Sequence, residues 1–310
     1  MDLNFMEVKE LQPVTALTDF NLSELAVVFA DSNNDVLSQL FAIDEQFATW
    51  NIGRYQVLLT KSSLVTKSSA LLAANKIDFA HLADLPDMSE PGLALFDMDS
   101  TLIEIECIDE IAKLAGVGEE VSEVTERAMQ GELDFEQSLR QRVSKLADAD
   151  ESILKEVRSE LPLMAEAKLL VDGLKACGWK VAVASGGFTY FSNHLKELLE
   201  LDFAQSNQLD ITEGKLTGKV VGDVVSAQTK ADILEQLRND YQLEKRNCIA
   251  VGDGANDLVM MAAAGLGVAY HAKPKVVEQA QTAVNYADLG GVLCILSASH
   301  VLQTLQTKNL

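Results

Sequence analysis

Asp97 and Asp99 stand two residues apart directly after Leu93-Ala94-Leu95-Phe96, a short apolar run of the kind that forms a buried strand. On an extended chain the two carboxylates share one side and Met98 faces the other. Unpaired buried carboxylates are costly, so a strand that ends this way calls for a cation or a reaction. Three more groups could take part. Ser185-Gly186-Gly187 follows the run KVAVA, and Gly252-Asp253-Gly254 follows CIAV, with Asn256 and Asp257 just beyond. Lys230 opens a helical stretch at TKADIL.

Each group alone is weak. A DxD, a lysine at a helix start and an SGG turn all occur in ordinary surface and turn positions. GDGAND runs G-x-G-x-x-D and lacks the third glycine of a dinucleotide fingerprint. Four such groups in order, each at an expected strand end or helix start, are far more specific. Together they describe a site for phosphate and Mg²⁺. Asp97, Asp253 and Asp257 offer hard oxygen donors. The Ser185 hydroxyl and Gly186 N–H sit at a strand-to-helix turn suited to a phosphate oxygen. Lys230 supplies a compact cation against developing negative charge.

The elements that must position these groups alternate. Strands are expected at 93–99, 180–185, 247–252 and 266–270, with helices at 166–178, 188–200, 229–240, 256–264 and 273–280. Strongly apolar strands between helices define an α/β fold with a parallel sheet covered on both faces, and ligands gather outside the carboxyl ends of such strands. Between about 103 and 165 strand patterning gives way to charged helical periodicity, read as a helical cap. Residues 208–222 alternate around Glu213-Gly214 and read as a β-hairpin. Residues 1–85 form a smaller α/β segment, with strands at ELAVVFA and YQVLLTK and helices at 35–50 and 68–82. The Pro- and Gly-bearing stretch DLPDMSEPG separates it from the second domain, 86–310.

Composition narrows the partners. The 310 residues carry a formal charge of −22, which repels nucleic acid and anionic membranes. Salt screens that field over about 8 Å, so an anion site needs local cations and helix N-termini. No apolar run reaches the roughly 18 residues of a membrane span. The first residues lack a secretory pattern, and four scattered cysteines without a CxxC pair fit free thiols in a reducing cytoplasm. The four histidines, at 81, 194, 271 and 300, lack metal-ligand spacing.

The ordered set FDMDST, VAVASGGF, TKADIL and AVGDGANDLVM resembles the four motifs of the haloacid dehalogenase superfamily of phosphohydrolases. The cap segments ECIDEIAKLAGVGEEV and AMQGELDFEQSLRQRV are similar to those of its phosphoserine-hydrolysing branch, which serves L-serine biosynthesis. The resemblance covers about residues 93–290. It implies a Rossmannoid parallel sheet with an inserted helical cap. Asp97 would then be the nucleophile and Asp99 the general acid/base. Asp97, the Asp99 carbonyl and Asp253 would hold Mg²⁺, with Asp257 in support. Ser185, Gly186, Lys230 and Asn256 would bind the phosphoryl group. Glu106 would meet a substrate ammonium and Arg142 its carboxylate, under the apolar Met129 and Phe135. The first 85 residues resemble the extension of bacterial members, a regulatory or dimerising module. Two other functions stay open on the sequence: phosphoryl transfer from phosphoserine to another small alcohol such as homoserine, and serine sensing by a vestigial enzyme.

Overall fold

The computed structural model describes residues 7–12, 21–34, 36–42, 45–83 and 85–307. Its chain divides into two units. One comprises residues 1–95, 165–181 and 234–310, the other 96–164 and 182–233.

In the first unit, β1 (Lys9–Glu10), β2 (Leu25–Asp31), β3 (Gln46–Ile52), β4 (Tyr55–Lys61) and β5 (Asp78–His81) form an antiparallel sheet in the order β1-β3-β4-β2-β5. β2 lies inside the sheet between β4 and β5, and its residues 25–30 are all buried rather than alternating. Both faces of the sheet are covered, which explains the unbroken apolar run. On one face Ala26, Val28, Ala30 and Leu58 pack with Val65 and Leu72 of α1 (Ser62–Ala74).

The same unit holds β6 (Leu93–Phe96), which crosses into the second unit at its last residue, and the start of β7 (Lys180–Phe188). β8 (Phe203–Thr212) and β9 (Lys215–Val221) belong to the second unit, while β10 (Cys248–Gly252), β11 (Leu266–Tyr270) and β12 (Thr282–Val284) belong to the first. Strand order in the first unit is β12-β11-β10-β6-β7. β10, β11 and β12 run parallel, as the apolar strand pattern implies. In the second unit β7 pairs parallel with β8, and β8 turns back antiparallel into β9. That hairpin turns at Glu213-Gly214, both with positive φ, as a type I′ turn requires.

Four cap helices follow β6: α2 (Cys107–Leu114), α3 (Gly118–Met129), α4 (Phe135–Lys145) and α5 (Ser152–Ser159). The chain enters and leaves the cap through paired backbone, with Glu104 N–H donating to Pro162 and Met164 N–H to Leu102. The remaining helices are α6 (Ala167–Ala176), α7 (Thr189–Leu198), α8 (Ala227–Asp240), α9 (Leu258–Ala263), α10 (Pro274–Val277) and α11 (Gly290–Thr307). All four cysteines are free thiols.

The sequence reading misplaces parts of the first sheet. Residues 35–50, expected as a helix, contain a short 3₁₀ turn at Leu37–Gln39 and then β3; Asp35, Ile43 and Asp44 lie outside the described residues. Tertiary packing outweighs local periodicity here, because Trp50 is buried and its indole N–H donates to Ser297 Oγ of α11 at 2.8 Å. The helix expected at 68–82 starts earlier and stops at Ala74. Lys76 then takes a left-handed φ of 54° and the chain continues as β5.

β5 opens with Asp78, 1% exposed, whose carboxylate accepts the backbone N–H groups of Asn285, Tyr286 and Ala287 at 2.8 to 2.9 Å. Asp78→Ala leaves those donors unpaired. Urea denaturation should therefore show a loss of about 2 to 4 kcal/mol, the scale of buried donors stripped of a charged acceptor.

Candidate active site

β6 ends at Phe96, earlier than its expected end at 99. The N–H groups of Thr101, Leu102 and Ile103 all turn back onto the carbonyl of Met98, closing the chain into a tight loop. Met98 is fully buried and Asp97 is 5% exposed. One Asp97 oxygen accepts the Met98 N–H at 2.7 Å, and the other pairs with Lys230 Nζ at 2.8 Å. Lys230, on the first turn of α8, is 1% exposed. Two charges taken out of water need close mutual contact, and this pair has it.

Asp99 lies in the same loop and accepts the Cys107 N–H at 3.2 Å. Burial, then the carboxylates of Glu106 and Asp97, push its carboxyl up to about 8. Like charges and desolvation both favour the protonated form. The group can therefore carry a proton at neutral pH that an ordinary carboxylate would have lost.

β7 runs through the Ser185-Gly186-Gly187 turn to Phe188, with Ser185 buried and its hydroxyl accepting the Gly187 N–H at 2.9 Å. Both glycines are required by space. A Cβ on Gly186 would lie 2.5 Å from the Phe135 ring, and one on Gly187 would lie 2.6 Å from Asp99 Oδ2. Asn207, on β8 and 2% exposed, ties this turn to the start of α8. Its amide donates to the Gly186 carbonyl at 2.8 Å, and its carbonyl accepts the Val225 N–H at 2.8 Å. Sequence reasoning passed over Asn207, which sits in an alternating hairpin with no motif to mark it.

In the first unit, Gly252-Asp253-Gly254 follows β10. Asp257 is fully buried, accepts the Gly254 N–H at 3.1 Å and packs on Gly252, whose Cα leaves no room for a side chain. Asn256 lies within the adjoining 3₁₀ turn. Asp253 and Asp257 thus offer two carboxylates just beyond this strand end, Asp253 half-buried and Asp257 fully so.

The cap contributes Glu106, Phe135 and Arg142. Glu106 caps α2 and accepts the Ser100 hydroxyl at 2.9 Å. The α4 N-terminus is fixed by a reciprocal capping box between Asp134 and Gln137. Phe135 and Arg142 follow two turns apart, on one face of that helix. Burial lowers the Arg142 pKa, opposed by the carboxylates of Asp109, Glu106 and Asp99, and its Nε is buried without a hydrogen-bond partner. Met129 ends α3 and is 68% exposed. Thus the second unit assembles Asp97, Asp99, Glu106, Phe135, Arg142, Ser185, Gly186 and Lys230, while Asp253, Asn256 and Asp257 belong to the first.

A strand-end aspartate salt-bridged to a buried lysine, beside a Ser-Gly-Gly turn and under a helical cap, defines a phosphohydrolase-type site. The family model for haloacid dehalogenase-like hydrolases matches residues 92–265, and the chain belongs to that family. It is 67% identical over 254 residues to a phosphoserine phosphatase of Vibrio cholerae, covering 82% of this chain and 77% of that protein. A phosphoserine phosphatase of Haemophilus influenzae is 56% identical over 82% of this chain and 81% of its own length. The crystal structure of a probable phosphoserine phosphatase from Vibrio cholerae superposes with a TM-score of 0.83 at 55% identity, covering 98% of each chain. A phospho-aspartyl intermediate analogue of phosphoserine phosphatase superposes at 0.63 with 44% identity, over 66% of this chain and 98% of that one.

Gly187→Ala tests the crowding around Asp99. The added methyl must displace Asp99 or Met98, and a displacement approaching 1 Å costs about 10²-fold in rate. Phosphate-release assays should show that loss, while the urea midpoint moves little.

Proposed function

We propose that this chain hydrolyses O-phospho-L-serine to L-serine and phosphate through a covalent aspartyl phosphate on Asp97, with Mg²⁺ as its cofactor. The observation that carries the reading is Arg142. It is a half-buried arginine whose Nε is buried and unpaired, set among carboxylates that include Glu106, within the unit that holds the Asp97–Lys230 pair. A substrate bearing phosphate, carboxylate and ammonium answers all three features. The relatives named above support the same substrate.

Phosphoryl transfer depends on in-line positioning and charge stabilisation. Asp97 attacks phosphorus, a P–O bond forms to its carboxylate, and the bond to the serine oxygen breaks. Asp99, whose carboxyl is pushed up by burial and by the Glu106 and Asp97 carboxylates, gives its proton to that departing oxygen. It then takes a proton from the water that hydrolyses the aspartyl phosphate, since the second step reverses the proton demand of the first. Lys230, the Ser185 hydroxyl, the Gly186 N–H and the Asn256 amide hold the phosphoryl oxygens. Arg142 bonds the carboxylate through its planar fork, Glu106 receives the ammonium, and Phe135 with Met129 supplies the apolar cover.

The side chains assigned to the metal in this reading, Asp97, Asp253 and Asp257, are all carboxylates, to be joined by the Asp99 carbonyl. This set fits a hard divalent cation such as Mg²⁺ and suits softer metals poorly. When bound, the ion supplies positive charge against the phosphoryl oxygens. Residues 1–85, with a hydrophobic core of their own, are read as a regulatory or dimerising module. Among the described residues no helix is long and apolar enough to cross a membrane.

A phosphate-release panel over small phosphomonoesters tests the reading. Phosphoserine should be the preferred substrate, EDTA should stop turnover and Mg²⁺ should restore it. Asp97→Asn should release no phosphate while staying folded; turnover by that variant refutes the nucleophile. Arg142→Ala should lower kcat/KM for phosphoserine by about 10²-fold or more, the cost of removing a charged partner. The loss on p-nitrophenyl phosphate, which has no carboxylate, should be much smaller, and equal losses would remove Arg142 from substrate recognition.

A further inference from the structure

We propose that Ser100 is a positioning residue that holds the Glu106 carboxylate for the substrate ammonium, an inference that rests on the proposed phosphoserine reading. Ser100 has φ 56°, in the left-handed region that glycine and asparagine occupy far more readily than serine. The loop imposes this conformation, because the three N–H groups of residues 101–103 converge on the Met98 carbonyl. Glycine would relieve the backbone at no steric cost, so a serine here points to a use for its side chain.

That use is visible in the geometry. Ser100 Oγ donates to Glu106 Oε1 at 2.9 Å; the acceptor is a carboxylate, so the hydroxyl must be the donor. Glu106 is the N-cap of α2, and its own carbonyl accepts the N–H groups of Asp109 and Glu110, so its backbone is already fixed. Its side chain keeps three rotatable bonds and stands near the carboxylates of Asp99 and Asp109. Those bonds allow the carboxylate several rotamers, and a neutral donor fixed on one oxygen selects among them without cancelling the negative charge an ammonium needs. Because Ser100 directly follows Asp99, the same tight loop that carries the acid/base also sets the group that recognises the amine.

The discriminating measurement is the ratio of kcat/KM for phosphoserine to that for p-nitrophenyl phosphate. Ser100→Ala and Ser100→Gly should each lower this ratio about tenfold, the worth of a hydrogen bond to a charged group. Ser100→Gly keeps the test valid if the alanine variant folds poorly, since glycine accepts the backbone. In a Glu106→Gln background, adding Ser100→Gly should leave the ratio where Glu106→Gln alone puts it. A purely structural role for Ser100 would depress both substrates alike and leave the ratio fixed, which overturns the proposal. A ratio that falls equally in the Glu106→Gln background overturns it too. If the unaltered protein shows no preference for phosphoserine, the functional reading itself fails, an outcome distinct from either of these.

Discussion

The ion pair between Asp97 and Lys230 is the constraint around which the second unit is arranged. Both side chains are almost entirely withdrawn from water, and neither charge would be tolerable there without the other. Holding them in contact fixes where β6 must end and where the first turn of α8 must lie. The Met98 N–H takes the remaining Asp97 oxygen, so the carboxylate has little freedom to turn. A nucleophile needs that loss of freedom, and the fold supplies it before any substrate arrives.

From that pair outward, the supporting contacts are made by backbone more than by motif side chains. Asn207 joins the Gly186 carbonyl to the Val225 N–H, so the turn that would bind phosphate and the segment leading to Lys230 move as one piece. Gly187 brings backbone within reach of Asp99 where a methyl group would collide. Phe135 covers Gly186 with the same closeness. The chemistry implied by the sequence motifs depends on these close approaches, and a change of one carbon at either glycine would disturb it.

Much of the second sheet, and where most candidate site residues fall on its elements, could be read in the sequence, because apolar strands that end in polar residues leave a plain pattern. Asp97, Ser185, Asp253 and Lys230 each sit where a strand stops or a helix begins. What escaped reading was set by partners distant in the chain. Trp50 belongs to a strand because α11 offers it Ser297, and nothing near Trp50 announces a partner more than two hundred residues away. Asn207 hides for a similar reason: its acceptor partner lies in β7 and its donor partner just ahead of α8. β12 and α11 were missed outright. α11 is apolar on nearly every face, so it lacks the periodic contrast that marks an amphipathic helix.

α11 also bears on how the chain comes together during synthesis. Its residues lie against β2, β3, β4 and β5, so that sheet receives its second cover from a helix far downstream in the chain. Until that helix emerges from the ribosome, one apolar face of the sheet, including Trp50, stays open. Contacts this far apart in sequence carry a large closure entropy and form late. While the residues between β5 and α11 are being made, the nascent protein therefore carries a hydrophobic surface awaiting its lid, the stage at which chaperones have the most to shield.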